Sequence, residues 1–182
     1  MTSGKEKFAD ELYPDDMHGF HDDTDHARKT RKPWRSEEIS SFKCAHCHAL
    51  VPIHDEMGTK HRNHCPSCLW SKHVDDKTSG DRASDCGGGM KPIGITLKRE
   101  GTDKFTGKPK YGDVMLVHEC TMCGRHSINR IAADDSSQII LQVFEQSESL
   151  PEESRMQLES EGIILTRLPE RPTIEVRLFG KK

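Results

Sequence analysis

The sequence predicts a small, zinc-stabilised α+β or mostly β protein: a zinc-ribbon-like module between a disordered N-terminal arm and a short α/β C-terminal extension. The chain has 182 residues, of which only 32% are hydrophobic and 5% aromatic, whereas 31% are charged. This apolar content is too small to offset about 1–2 kcal/mol of backbone entropy per ordered residue. Seven cysteines are present, six of them in three C-x-x-C pairs, and the apolar segments around them are short. Bound metal is therefore expected to replace most of the apolar core.

The N-terminal residues 1–41 are predicted to be a disordered arm. They contain seven basic and ten acidic residues, few apolar residues and no periodicity, a composition that does not support a packed core. The first residues lack the apolar stretch of a signal peptide, and no run of 18 apolar residues occurs. We therefore expect a cytoplasmic protein that has no contact with a membrane. In that reducing compartment, cysteine pairs are typical of metal sites rather than of disulfides.

The central residues 42–135 contain all seven cysteines and are predicted to be the zinc-binding domain. Its apolar segments, residues 50–53, 93–97 and 114–117, have the length of short strands. The polar stretch 100–112 is predicted to join the last two as a hairpin connection that is longer than a tight turn. Short strands joined by cysteine pairs are typical of a zinc ribbon.

Two of the pairs, Cys44-Ala-His-Cys47 and Cys65-Pro-Ser-Cys68, are separated by 17 residues. On a turn, two cysteines three positions apart can direct both thiolates at one point about 2.3 Å from each sulfur. Two such turns that face each other complete a tetrahedron, and the spacing lies within the range of zinc ribbons. We therefore expect these four cysteines to bind a first zinc ion.

The third pair, Cys120 and Cys123, needs two further ligands. Cys86 is the remaining cysteine, so the fourth ligand must be a histidine or a carboxylate. His73 is favoured because it lies twelve residues before Cys86, far enough for a loop to bring both to one ion. His118 is the alternative, because it precedes Cys120 by two positions and would lie on the same side of a strand. A second zinc ion is expected, with its fourth ligand left open between these two histidines.

The C-terminal residues 136–182 differ in sequence pattern from the central domain, and they contain no cluster of reactive side chains. Apolar residues at helical spacing follow a run of capping residues, and a second capping pattern follows further along the chain. We expect this extension to pack on the domain, to dock a protein partner or to support self-association. The predicted elements are a helix that includes residues 139–144, a helix between Ser149 and Gly162, and a hairpin of two strands at 163–168 and 173–179.

Several separated motifs, taken in order, resemble the bacterial RNHCP-domain family, which is named for the pentapeptide Arg62-Asn63-His64-Cys65-Pro66. The resemblance covers about residues 42–135. The family has no assigned biochemical activity, so the resemblance implies the domain and not a function. The other motifs that carry it are Cys68-Leu-Trp-Ser-Lys-His-Val-Asp75, Gly80-Asp81-Arg82, Cys86, His118-Glu-Cys-Thr-Met-Cys-Gly124, Asn129-Arg130 and Asp134-Asp135.

The sequence argues against two kinds of enzyme. His54-Asp55-Glu56 and the second cysteine pair superficially match a zinc deaminase signature. However, the gap of eight residues leaves no room for the intervening helix and strand, and Pro66 follows Cys65 instead of preceding it. A thiol oxidoreductase would place a cysteine pair at a helix start within a βαβ unit, and no such unit is visible.

A non-enzymatic zinc-binding module that docks RNA, an RNA–protein assembly or another protein is therefore favoured, although the net charge of −3 gives no general argument for nucleic-acid binding. The alternative is a zinc-dependent hydrolase that uses a partly open second site, with His64, His118 or Asp81 as the base. Arginine suits phosphate or carboxylate partners, and a tryptophan beside a cysteine pair could stack on a base. Arg82 and Arg130 could instead pair with Asp81, Asp134 or Asp135, and Trp70 could cover the first zinc site. The candidate partner contacts are Arg62, Trp70, Arg82, Arg125 and Arg130.

Overall fold

A computed structural model of the protein describes residues 41–53, 62–78 and 80–180. These residues form two antiparallel sheets and three α-helices, so the mostly β class is confirmed. Apart from Ser41, the predicted disordered arm lies outside the described residues. The elements in chain order are β1 (Ser41–Lys43), β2 (Leu50–Pro52), β3 (Ser71–Lys72), β4 (Gly89–Thr102), β5 (Pro109–Cys120), β6 (His126–Arg130), α1 (Ser137–Ser147), α2 (Glu152–Ser160), a short 3₁₀ helix (Leu168–Glu170) and α3 (Arg171–Phe179).

The larger sheet has the order β3-β4-β5-β6, and its centre is the long hairpin of β4 and β5. The two strands predicted at 93–97 and 114–117 lie within this hairpin, in register from Leu97 opposite Val114 to Gly94 opposite Val117. The connection is shorter than predicted, because the polar residues on either side continue the antiparallel pairing to Thr102 and Pro109. Backbone hydrogen bonds do not require apolar side chains, so the strands extend beyond the core.

The main core lies between the sheet and the C-terminal helices. Ser136 caps the N-terminus of α1, with its side chain accepting a hydrogen bond from the Ile139 backbone N–H. This begins the helix at a position where its apolar side packs on β4 and β5. The buried residues of this cluster are Leu69, Ile95, Val114, Leu116, Ile140, Val143, Phe144 and Ile174.

A second cluster joins the other side of the sheet to α2 and the segment after it. Leu116 belongs to the first cluster and Val117 to the second, because adjacent strand residues point to opposite faces. In the second cluster, Val117 and Ile93 pack with Leu158, Ile163 and Leu165. The C-terminal segment therefore supplies a large part of both cores.

The predicted C-terminal hairpin is wrong. Residues 171–179 form α3, which buries Ile174 and leaves Val176 46% exposed. The apolar residues at 174, 176 and 178 fit a strand, but 174 and 178 also lie four apart, on one side of a helix, and packing on the sheet favours the helix. The strand predicted at 163–168 does not form, and this segment only contacts the larger sheet, where Thr166 donates its backbone N–H to the Ile95 carbonyl at 2.8 Å. Among the described residues, no helix has the length and apolarity needed to cross a bilayer.

Candidate metal centres

The three C-x-x-C turns have the same backbone hydrogen bond. In each, the residue after the second cysteine donates its N–H to the carbonyl of the first cysteine. The distances are 3.1 Å for His48 to Cys44, 2.8 Å for Leu69 to Cys65 and 2.9 Å for Gly124 to Cys120. The three pairs are thus three copies of one local structure.

The residue after each pair has a left-handed backbone. The φ angles are 63° for His48, 60° for Leu69 and 69° for Gly124. Only the third turn has the glycine that this conformation favours, so the left-handed residues of the other two turns could not be predicted from the sequence. In the second turn, Leu69 is fully buried in the main core, and this packing offsets the strain of its backbone.

The first turn and the second bring four thiols together, and the four sulfurs lie within 4.8 Å of one another. The distance between the sulfurs of Cys44 and Cys68 is 3.7 Å, and that between Cys47 and Cys65 is 3.5 Å. A tetrahedral ion with bonds of about 2.3 Å requires sulfurs about 3.8 Å apart. These four residues therefore fit a metal ion. All seven cysteines are free thiols.

Backbone N–H donors and burial have opposite effects on the pKa values of the cysteine thiols in the first cluster. The Ala49 N–H lowers the pKa of Cys47 to about 7, despite the opposing effect of burial. Burial raises the pKa of both Cys65 and Cys68. A bound divalent cation would stabilise the thiolates that burial disfavours.

The second cluster consists of His73, Cys86, Cys120 and Cys123. His73 follows β3, Cys86 precedes β4, and the third turn connects β5 to β6. The Cys86 and Cys120 sulfurs lie 3.6 Å apart, and the Cys123 sulfur lies 3.3 Å from His73 Nδ1. The structure thus brings His73, and not His118, to the three cysteines.

Close approach of the backbone helps to form this second cluster. A Cβ atom at Gly88 would lie 2.9 Å from the Cys120 sulfur, so a larger residue there would displace a ligand. Burial raises the pKa of Cys120, but the N–H groups of Cys123 and Met122 outweigh it and lower this pKa to about 6. The one sign of Gly88 in the sequence is the run of three glycines after Cys86, a pattern that can mark a close backbone contact.

His118 stabilises the second turn instead of binding metal. It is fully buried, and its Nε2–H donates to the Leu69 carbonyl at 2.7 Å. Its Nδ1 accepts a hydrogen bond from the Asn129 amide at 3.0 Å, which fixes a neutral imidazole. Burial lowers the pKa of His118 to about 4, so the ring stays neutral at pH 7.

The Arg62-Asn63-His64 segment connects the second turn to the start of α1. Arg62 donates two hydrogen bonds of 2.6 Å to Asp134 and one of 2.9 Å to Asp135. His64 Nε2 and the Ala132 backbone N–H donate to the other Asp135 oxygen, each at 2.7 Å. Asn63 completes the link, because its amide donates to Asn129 at 2.8 Å.

The Arg62 side chain is 0% exposed. Burial disfavours its charge, but hydrogen bonds and charge interactions with Asp134 and Asp135 raise its pKa. An arginine in this position cannot reach a partner on the surface, in contrast to the role considered for it above. Asp134 and Asp135, which were expected near Arg82 or Arg130, contact Arg62 instead.

The other candidate partner contacts lie closer to solvent. The ring of Trp70 stacks on His46 with centroids 4.1 Å apart and planes 6° apart, so it lies against the first cysteine turn. Arg82 pairs with Asp75, and Arg125 pairs with Asp76. Arg130 is exposed at the end of β6.

The candidate bases of the hydrolase alternative are engaged elsewhere. His64 and His118 belong to the buried network described above. The Asp81 carboxylate accepts backbone N–H groups from Asp76, Thr78, Ala83 and Lys77, which hold its pKa well below the usual range. Asp81 therefore stabilises the loop between His73 and Cys86. A shallow depression of about 350 Å³ lies beside the second cluster, lined in part by Cys86, Cys123 and Arg125.

The fold and the two clusters define a mostly β protein with two four-residue sets that could each hold a metal ion. The model of the RNHCP domain matches residues 39–141, more than half of the chain. The chain belongs to the RNHCP-domain family. A search of curated proteins and a search of solved structures gave no significant match.

Proposed function

We propose that this protein is a non-enzymatic module that binds two zinc ions and uses the resulting rigid scaffold to dock a macromolecular partner. The observation that carries the proposal is the completeness of both ligand sets. Each cluster offers four protein ligands at spacings close to the edges of a tetrahedron. Metal sites of this kind are structural, because a catalytic zinc keeps a position open for water or substrate.

Zinc is the ion that this chemistry favours. Four thiolates, or three thiolates and an imidazole, suit a soft or borderline cation in tetrahedral geometry, whereas calcium and magnesium require oxygen ligands. Iron also binds four thiolates, and it absorbs visible light where zinc is colourless. The mixed cluster of three cysteines and His73 is a ligand set typical of zinc.

The depression beside Cys86 and Cys123 favours one second candidate, a zinc-dependent hydrolase at the second cluster. It would require a water molecule in place of one of the four ligands. It would also require a base other than His64, His118 and Asp81, whose hydrogen bonds are described above. Because of these two requirements, we rank the hydrolase below the non-enzymatic zinc scaffold.

Metal analysis and X-ray absorption test the proposal. We expect two zinc ions per chain and, averaged over four cysteines at one site and three cysteines with His73 at the other, 3.5 sulfur and 0.5 nitrogen ligands per ion. Cys123→Ser should lower the zinc content to one, with the first site retained. A protein that holds one ion or none, or that absorbs like an iron–thiolate site, would refute the two-zinc scaffold. An oxygen ligand at the second site would favour the hydrolase.

A further inference from the structure

The distal part of the β4–β5 hairpin, residues 98–111, extends beyond the core, and we refer to it as the hairpin arm. The last five residues of β4 and the first three of β5 are all exposed. At about 3.3 Å per strand residue, the arm extends about 15 Å from the last core pair. An extended, solvent-exposed strand pair is a natural contact surface.

The arm has the opposite charge to the rest of the chain. It contains five basic and two acidic residues, a local net charge of +3 in a protein of net charge −3. Both acidic groups have partners within the arm: the Asp103 carboxylate accepts the N–H groups of Phe105 and Thr106, and Glu100 lies 3.7 Å from Lys110. The exposed basic residues are Lys98, Arg99, Lys104, Lys108 and Lys110.

Aromatic side chains accompany these charges. Phe105 lies in the turn of the arm and is 98% exposed, the highest value among the exposed large apolar residues described. Tyr111 is 44% exposed and lies opposite Arg99 in the strand pair. Arg177 of α3 donates to the Tyr111 carbonyl at 3.1 Å, which adds a cation at the base of the arm.

We propose that the hairpin arm binds single-stranded nucleic acid, with lysine and arginine contacting phosphates and with Phe105 and Tyr111 stacking on unpaired bases. The inference rests on the proposed docking function and names the class of partner. An alternation of cations and accessible aromatic rings is the basis of single-strand binding. A base inside a duplex is already stacked, so Phe105 could not reach its face.

The arrangement favours nucleic acid over an anionic membrane. A membrane-inserting tip needs several apolar residues together, whereas Phe105 is flanked by Lys104 and Thr106. The cations extend along both strands, over a length that corresponds to several phosphates. An acidic protein could use the lysines, but it would not require the aromatic faces.

The test uses fluorescence anisotropy with the full-length, zinc-loaded protein and labelled oligouridine and oligothymidine of about twelve nucleotides. Phe105→Ala should weaken binding about five- to 150-fold, which corresponds to the loss of about 1–3 kcal/mol of stacking. The double variant Lys104→Glu/Lys108→Glu should weaken binding at least tenfold. It should also reduce the slope of log affinity against log salt by about 1.4, the effect of two lost phosphate contacts.

Each control makes the same kind of substitution at an exposed position outside the hairpin arm. Met156 is 62% exposed on α2, and Met156→Ala should leave binding unchanged. Lys77→Glu/Lys91→Glu makes the same charge change at exposed lysines outside the arm and should have less than a threefold effect. All variants should retain two zinc ions and an unchanged thermal transition, because the substituted side chains are exposed.

Several outcomes would overturn the inference. It fails if Phe105→Ala binds like the wild type, if both charge variants weaken binding equally, or if a duplex or a polyglutamate peptide competes as well as the single strand. Binding to phosphatidylserine vesicles but not to oligonucleotides would assign the arm to a membrane surface. A wild-type protein that binds none of these probes overturns the hairpin inference, whereas the two-zinc scaffold is judged separately from the metal and X-ray absorption results. Equal affinity for oligouridine and oligothymidine would identify the shared phosphate-and-base chemistry, and a preference would identify RNA or DNA.

Discussion

The buried carboxylate of Asp135 provides the most direct test of what the Arg62-Asn63-His64 segment does. The perturbation is Asp135→Asn, which keeps the shape of the side chain and removes its charge. The Asp135 side chain is 0% exposed, and its two oxygens accept from Arg62, His64 and the Ala132 N–H. In either orientation, the asparagine amide places its NH₂ group against at least one of these donors.

The stability lost in Asp135→Asn follows from the burial of the Asp135 carboxylate and its ion-pair partner. Removing one partner of a buried ion pair costs about 3–5 kcal/mol, because the remaining polar groups lose their partners away from water. The matched control is Asp134→Asn, whose side chain is 37% exposed. Water can solvate this variant, and Asp135 still balances the charge of Arg62, so we expect a loss of about 1 kcal/mol.

The assay is guanidinium denaturation at pH 7, followed by circular dichroism, with the free zinc concentration held constant because bound metal contributes to apparent stability. Both variants should contain two zinc ions. We expect Asp135→Asn to lower the free energy of unfolding by at least 2 kcal/mol more than Asp134→Asn does. If the two losses are equal, or if Asp134→Asn costs more, the network does not stabilise the fold in the way described.

Three further predictions concern the backbone and the core. A Cβ atom at Gly94 would lie 2.7 Å from Leu165 Cδ2 in a buried contact, so Gly94→Ala should lower the free energy of unfolding by about 1–3 kcal/mol. At Gly112, the three atoms nearest to an added Cβ all belong to the exposed Glu100 side chain, which can rotate away. Gly112→Ala should therefore change the free energy of unfolding by less than about 0.5 kcal/mol, and equal losses would contradict the packing argument. His48→Gly relieves the strain of a left-handed backbone at an exposed residue. It should raise the thermal midpoint, with a gain of up to about 1 kcal/mol in the free energy of unfolding. A lowered midpoint would show that the imidazole has another role. A protein truncated after residue 141, where the family match ends, loses Phe144, Leu158 and Ile174 from the cores. It should show no cooperative unfolding by circular dichroism, even with zinc present. A sharp transition would mean that the metal sites suffice to hold the remaining fold together.

The sequence predicts the metal clusters better than it predicts the rest of the fold. Cysteine spacing is a local property, and the turn that it requires forms from six consecutive residues. The choice between His73 and His118 is not local, because both histidines are buried beside strand ends. Only the tertiary placement shows that one points to the cysteines and the other to the Leu69 carbonyl.

The same limit applies to α3 and to the buried network. Residues 173–179 satisfy both the helical and the strand period, and the packing of Ile174 in the main core decides between them. Arg62 meets Asp134 across 72 residues of sequence, and no periodicity connects them. The motif was visible, but the identity of its partners depended on the folded chain.

The motifs that define the family and the surface that we propose to bind nucleic acid occupy different parts of the molecule. None of the motif residues lies in the hairpin arm at 98–111. Many of the motif side chains belong to the two candidate metal clusters or make hydrogen bonds within the protein, as Arg62 and His64 do. The family match over residues 39–141 includes the hairpin arm, but substitutions in the arm should leave the two candidate metal clusters in place, because none of the eight cluster residues lies in it. We therefore expect the proposed contact with nucleic acid to depend on Phe105 and its neighbouring lysines, and not on Arg62-Asn63-His64.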